Sequence, residues 1–413
     1  MGLDMTSFDN ALKNHYTNDR VENMVYQDNP LFGLMSKMED FGGRNLPIPT
    51  IWGNPQGRSV AFARAQARSL VTNTKVASFV LTRVKDYAVA VIDNETLEAS
   101  KGDANAFLSA STTEIDGAIN GLTRSAATAM YRSGYGDLGV IATAGISGAV
   151  ITLATNSDVT GFEVGMELDL SATQSGALLA YGSSGNGLII TAIDRTAGTL
   201  TFGFNVTDAT NGIPTAAAGN YIFVRGDHVS GSLTKIAGLE SWVPASAPSS
   251  ALFFQQDRSL DVTRLGGQRY DGSKVPIEEG LIEGAAMVAR EGGKIDHYFM
   301  GFSTYSSLEK SMGSKVQYID LKANAEIAFR GIIINGPKGP ISIVPDQNCP
   351  TNRCFGLQLD MWKLYSLGKA VRVIDTDGLQ MLRQGSADGV EVRYGMYANM
   401  GCRAPGYNIN IQL

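Results

Sequence analysis

RNLPIPTIWGNPQGRSVAFARAQARSLVTNTKVASFVLTRVKDYAVAVI, residues Arg44 to Ile92, decides how this chain is read. Two extended runs flank a tip of small and polar residues, and a long helical pattern follows up to Ser133. Pro47-Ile48-Pro49 forces extended backbone at the start. From Arg58 to Leu70, Val60 and Phe62 share one face while Arg58, Arg64 and Arg68 interrupt what would be a sticky edge, which predicts a solvated or inter-subunit strand. From Val76 to Ile92 the period is two. Ala77, Phe79, Leu81, Tyr87, Val89 and Val91 fall on one face and Ser78, Thr82 and Asp86 on the other, which predicts a single strand. An isolated hairpin is marginal in water, and nothing nearby in the sequence offers it a core. The arm is therefore expected to rest on neighbouring copies of the same chain.

Asp103 reads as the cap of the helix that follows, in which Leu108, Ile115, Ile119, Leu122, Ala126 and Met130 recur three, four or seven residues apart. Thr113, Glu114, Asp116, Asn120 and Arg124 populate its other faces. About thirty residues at 1.5 Å each make a rod of roughly 45 Å, long enough to organise a domain.

The whole chain has 413 residues, of which 44% are hydrophobic and 18% charged, enough to bury a large core divided over two or three domains. A net charge of -6 argues against a surface that grips nucleic acid by neutralising phosphates. No apolar run approaches the ~18 residues of a membrane span, and Met1-Gly2-Leu3-Asp4 lacks the basic and apolar regions of a signal peptide, so a soluble product is expected. Met1-Gly2 with Thr6 matches the short myristoylation pattern only nominally. Cys349, Cys354 and Cys402 are too few for a disulfide scaffold, and His15, His228 and His297 stand at no ligand spacing, so free thiols without a metal are expected.

Before the arm, Met1 to Met38 reads as a polar helical segment with Phe8, Leu12, Val21, Met24 and Val25 as sparse apolar points, ended by Asn29-Pro30-Leu31-Phe32. Such a segment has little core of its own and should drape over a subunit. After the long helix the composition turns to Gly, Ala, Ser and Thr. Strand-like runs over 148–155, 165–170, 188–193, 199–205 and 220–224 are separated by turn signals such as Ser184-Gly185-Asn186-Gly187 and Asn211-Gly212. Five or six short strands at this spacing predict a small barrel or sandwich, inserted into a larger domain. Beyond it come a helix over 277–290 between Pro276 and Gly292-Gly293, a strand over 297–302 and a helix over 304–312. Strands over 332–334, 341–344, 354–360 and 364–367 and a long closing strand over 390–402 complete the pattern.

Chemical motifs are sparse. Gly134-Tyr135-Gly136-Asp137-Leu138-Gly139 fits G-x-G-x-x-G in letters, but it follows a helix and not a strand, so a helix cap and domain junction is expected. Arg225-Gly226-Asp227 reads as a turn, and Glu278-Glu279 as carboxylates stabilising the first turn of a helix. No nucleophile elbow, P-loop or zinc-protease helix appears. Neither a cofactor nor a reaction is indicated.

This order of elements resembles the major capsid proteins of tailed bacteriophages with the HK97-type fold. The likeness is sharpest in Ile341-Ser342-Ile343-Val344-Pro345-Asp346, in Cys354-Phe355-Gly356-Leu357-Gln358-Leu359-Asp360, in Val390 to Cys402 and in Arg403-Ala404-Pro405. The resemblance implies an α+β fold with an N-terminal arm over 1–43 and an extended loop, the E-loop, over 44–92. It implies a P-domain over 93–135 and 366–413 with its spine helix at 103–133, an inserted all-β domain over 136–230, and an A-domain with connecting segments over 231–365. It also implies a virion protein, made in a bacterial cytoplasm, that self-assembles as hexamers and pentamers around packaged double-stranded DNA. Portal, scaffolding and decoration proteins are the further partners it suggests, with no membrane and no small-molecule substrate.

Some members link their subunits through a lysine in the E-loop. Here Arg44 to Thr74 holds no lysine and Lys75 stands back from the tip, which predicts a noncovalent shell. About 43 residues precede the arm, so a separate scaffolding protein, or none, is expected. Phe62, Arg58, Arg64 and Arg68 are the candidates for inter-subunit contact, the arginines either pairing with acidic patches or simply protecting an edge. Arg124 and Arg132 are the candidates for an inner, DNA-facing side of the helix, or else for a solvated face. The competing assignments are another phage structural part, such as a tail or decoration protein, and a carbohydrate-binding or hydrolytic protein using the β insertion.

Overall fold

The helical period read between Leu108 and Met130 produces a helix over Ala104–Tyr131, about 42 Å long at 1.5 Å per residue. The computed structural model describes residues 29–93, 104–185, 187–312, 318–322, 328–375, 381–384 and 388–413. The N-terminal segment with Phe8, Leu12, Val21, Met24 and Val25, the cap Asp103 and the side chain of Leu108 lie outside the described residues. Ile115, Ile119, Leu122, Ala126 and Met130 are all buried, as their spacing predicts.

These side chains pack on a sheet built around the closing strand Gly389–Cys402. Along its length this strand pairs antiparallel with Val84–Asp93 and Trp362–Ser366, and Ser36–Met38 adds a parallel edge beside the latter. A second, mixed sheet carries seven strands among the described residues. In spatial order they are Gln268–Asp271, Ile409–Gln412, Arg353–Leu357, His297–Met300, Gly339–Pro345, Ala328–Gly336 and Tyr318–Lys322. The helix Ile277–Arg290 buries Leu281, Ala285 and Val288 in the core of this sheet, with Leu308 of the helix Phe302–Met312 beside them.

Residues 137–224 form a closed barrel of six strands, Asp137–Ser147, Val150–Leu153, Glu167–Ser171, Leu188–Asp194, Thr199–Phe202 and Tyr221–Val224. Its core is its own, with Ile151, Leu168, Leu170, Leu188, Leu200 and Ile222 fully enclosed. The chain enters and leaves side by side, because the Gly134 carbonyl accepts from the N–H groups of both Thr234 and Lys235 at 3.0 Å. Gly134 adopts φ +84°, and a Cβ there would lie 3.0 Å from the Ala237 backbone, so glycine is required on both counts. The glycine-rich motif is therefore a junction between helix and barrel.

The arm differs from its sequence pattern in two ways. Asn45–Gly53 pairs antiparallel with Lys75–Thr82, and there the hairpin ends. Arg83 breaks the run: its guanidinium donates to the Phe41 carbonyl and lies over the Phe41 ring. Val84–Asp93 then joins the closing strand with the opposite phase. Val84, Ala90 and Ile92 face inward, while Tyr87, Val89 and Val91, expected on the buried face with Phe79, are about half exposed. The tip is also not a strand, because Phe62–Val71 is a helix.

The root of the arm is held by aromatic rings. Phe79 meets Trp242 edge-on at 5.1 Å, and Phe253 meets the same indole at 5.1 Å, its ring perpendicular. Replacing such a core ring by alanine costs about 3–5 kcal/mol. Phe79→Ala should accordingly lower the urea unfolding midpoint by an amount equivalent to that loss.

Candidate self-assembly surface

Beyond its root the arm is uncovered. From Asn54 to Val76 no residue is buried, and the helix Phe62–Val71 has no buried side chain at all. Local bonds close the tip: Thr72 Oγ1 donates to the Arg68 carbonyl at 2.7 Å and accepts from the Gln56 N–H at 3.1 Å. Helices shorter than ~12–15 residues are marginal in water even with good propensity. A ten-residue helix without a packed face is a shape that awaits a partner.

One half of that helix is apolar. At 100° per residue, Phe62, Leu70, Ala63, Ala67 and Val71 fall within one semicircle, with Arg64 and Arg68 adjacent to it. Phe62, Leu70 and Val71 are each about 80% exposed, and Val60 stands clear beside them. Among the described residues Arg58, Arg64 and Arg68 form no ion pair. Arg64 and Arg68, one turn apart, repel each other slightly. An external anion would relieve that repulsion.

The charge pattern adds a signal that the residue-by-residue reading passed over. From Phe41 to Lys85 there are seven cationic residues, Arg44, Arg58, Arg64, Arg68, Lys75, Arg83 and Lys85, and no Asp or Glu, in a chain whose net charge is -6. The arm is cationic and the rest of the chain is strongly acidic. A second missed feature is the outer face of the body sheet. There Tyr87, Val89 and Val91 form an exposed row, with the Tyr87 ring edge-on to Tyr397 at 5.8 Å. Hydrogen bonding to Tyr397 and burial push the Tyr87 phenol up to about 12.

Arg124 and Arg132 are turned to the barrel, each with a carboxylate partner there. Arg132 sits at the end of the long helix with its guanidinium 2.6 Å from Asp158, and the two side chains are 14% and 9% exposed. Arg124 pairs with Glu163 of the barrel at 2.7 Å. Spacing on a helix could not reveal this, because the covering element follows later in the sequence. Between barrel and body, Lys235 lies 2.9 Å from Asp86 and 3.0 Å from Asp227, and Ser125 Oγ donates to Asp86 at 2.6 Å. Arg225 and Asp227 are likewise taken, by Glu167 and Lys235, around the turn at Gly226. All three cysteines are buried, and burial pushes their thiols up, so they act as core side chains. No helix among the described residues is long and apolar enough to cross a membrane.

No protein-family model matches the chain, and no curated protein sequence matches it. Several solved structures are similar to it. The capsid asymmetric unit of cyanophage A-1(L) aligns over 93% of this chain and 92% of its own, at 12% identity and a TM-score of 0.48. The capsid of a native GTA particle aligns over 93% and 89%, at 7% identity and 0.43. The holo-SrpI encapsulin complex of Synechococcus elongatus aligns over 92% and 86%, at 6% identity and 0.43.

Two substitutions separate the roles of these residues. Arg132→Ala strands the buried Asp158 carboxylate and should cost about 3–5 kcal/mol in denaturant unfolding. The double change Phe62→Ser, Leu70→Ser removes no buried contact, and the same measurement should move by less than about 0.5 kcal/mol.

Proposed function

We propose that this chain is the major capsid protein of a tailed bacteriophage, assembling noncovalently as hexamers and pentamers into a closed icosahedral shell around double-stranded DNA. The observation that carries this is an arm anchored at one end only. Its root is packed among aromatic rings, whereas its tip is an amphipathic, cationic helix that buries no side chain among the described residues of its own subunit.

Magnitudes decide how such an arm would hold. Full burial of a Val, Leu or Phe side chain contributes roughly 1.5–3 kcal/mol, so Phe62, Leu70 and Val71 together supply several kcal/mol per contact. Exposed ion pairs of Arg58, Arg64 and Arg68 add only about 0.2–1 kcal/mol each. Apolar burial therefore holds the neighbour, and charge selects where the arm lands. Repetition over a closed, symmetric shell turns a weak contact into a stable particle. Lys75 lies at the start of the returning strand, opposite Gly53, and the tip has no lysine for a covalent bond.

In this assignment the arm hairpin spans 45–82, and residues 84–93 belong with the closing strand to the P-domain. The long helix is the spine, the barrel is the inserted domain, and the second mixed sheet with its helices is the A-domain. With its arm cations facing protein and its net charge negative, the shell retains DNA by enclosure and not by a basic lining.

Deleting Gly57 to Ser69 should abolish shells in electron micrographs while circular dichroism and unfolding show a folded subunit. Normal shells from the deleted chain would sink the proposal. Raising salt from low to about 0.5 M should slow assembly, because screening shortens the reach of the arm's charge, but should not dissolve finished shells held by apolar contacts.

A further inference from the structure

Three arginines stand at the seam between the root of the arm and Gln268–Asp271, the edge strand of the second sheet. One of them, Arg264, donates to the Trp52 carbonyl at 2.8 Å and pairs with Glu291 at 3.5 Å and Asp261 at 3.9 Å. The other two, Arg258 and Arg269, form no ion pair among the described residues. The carboxylates nearest in sequence are spent on their own turns. Asp257 accepts from the Ser259 N–H and hydroxyl, and Asp261 from the N–H groups of Thr263 and Arg264.

Both unpaired guanidinium groups are partly buried and held by groups without net charge. Arg258 lies over the Phe253 ring, 4.1 Å from its centre, and its Nη1 donates to the Ser241 carbonyl at 2.6 Å and the Trp242 carbonyl at 3.4 Å. Its Nε is enclosed without an acceptor. Arg269 donates to the carbonyls of Gly266 and Val262, at 3.3 and 2.9 Å. Carbonyls and a ring face orient these cations, but a desolvated charge left without an opposite charge is expensive. Burial and repulsion by Arg269 pull the Arg258 guanidinium down to about 10, and burial lowers Arg269 as well. At pH 7 an arginine keeps its proton all the same. The pair therefore holds two positive charges that its own subunit leaves unanswered, and N–H donors remain free. Such planar forks match the oxygens of carboxylate and phosphate groups.

We propose that Arg258 and Arg269 form a site for an oxyanion supplied from outside the subunit, either a free phosphate or a carboxylate of a second copy. Because Arg258 is stacked on Phe253 of the ring cluster, an anion held here secures the root from which the arm extends. Arg264, with its own carboxylates, has no need of one. The site stands on the isolated subunit and not on shell formation.

Inorganic phosphate is the probe, titrated by calorimetry into full-length subunits at pH 7 and constant ionic strength. Saturable binding of one phosphate per chain is expected. Arg269→Gln should weaken it roughly tenfold, the loss of a charge-assisted contact, while circular dichroism shows an unchanged fold. Arg64→Gln, on the exposed tip of the arm, should leave the affinity as it is. No saturable binding, equal affinity in Arg269→Gln, or an equal loss in Arg64→Gln would overturn the proposal. A second measurement needs no variant: phosphate should slow the modification of Arg258 and Arg269 by phenylglyoxal, an arginine reagent, while Arg64 reacts as before. Protection of all three alike, or of none, would overturn it too. Titration of assembled particles separates the two sources, since retained binding assigns the site to free phosphate and lost binding assigns it to a carboxylate of a neighbouring copy.

Discussion

Phe79 is fully buried against Trp242, and Phe62, on the same arm, is 82% exposed. This one-ended anchorage is the constraint on which the rest depends. The ring cluster of Phe79, Trp242 and Phe253 fixes where the hairpin leaves the body. Arg83 sets where it stops, because its bond to the Phe41 carbonyl ends one strand and lets the next begin in the opposite phase. Beyond the ring cluster, residues 54–76 close their backbone bonds locally yet bury nothing. Their apolar side chains gain free energy only when another surface covers them, and their unbroken positive charge narrows which surfaces will do.

The inserted barrel follows a different logic. It closes on its own apolar core, so it needs little from the body beyond a stable point of attachment. That attachment is polar and locally dense: Arg132 with Asp158, Lys235 between Asp86 and Asp227, and the paired crossings at Gly134. Buried charges of this kind add little net stability compared with apolar packing, but removing one partner is expensive. They specify one orientation of barrel on helix. Together with the pair of Arg124 and Glu163, these contacts occupy the two arginines that a helical wheel would assign to an outward-facing surface.

Much of this was legible in the sequence wherever period and burial agree. Ile115, Ile119, Leu122, Ala126 and Met130 announce the long helix, Pro276 and Gly292-Gly293 bracket the helix Ile277–Arg290, and the closing strand was read within a residue of its bounds. The barrel strands were visible between their turn residues, except Asp137–Ser147, which was hidden behind the glycines of the junction. The tip failed because Phe62, Arg64 and Arg68 sit at even spacings that imitate a strand. The alanines between them, together with Gln66 and Leu70, favour helix. The phase change at Arg83 failed for a different reason: a period of two continues through it in letters, and only the contact of Arg83 with Phe41, distant in sequence, reveals the break. Arg132 was misplaced because its partner Asp158 belongs to an element that packs on the helix only in three dimensions.

Hydrogen exchange of the backbone amides in residues 62–71, compared between isolated subunits and assembled particles, addresses the uncovered tip most directly. In the isolated subunit these amides should exchange almost as fast as an unstructured peptide, since a short helix without packing opens readily. In the particle they should be protected by orders of magnitude, as a neighbouring subunit covers Phe62, Leu70 and Val71. Equal protection in both states would contradict the claim that the arm exists to be completed by another copy of the chain.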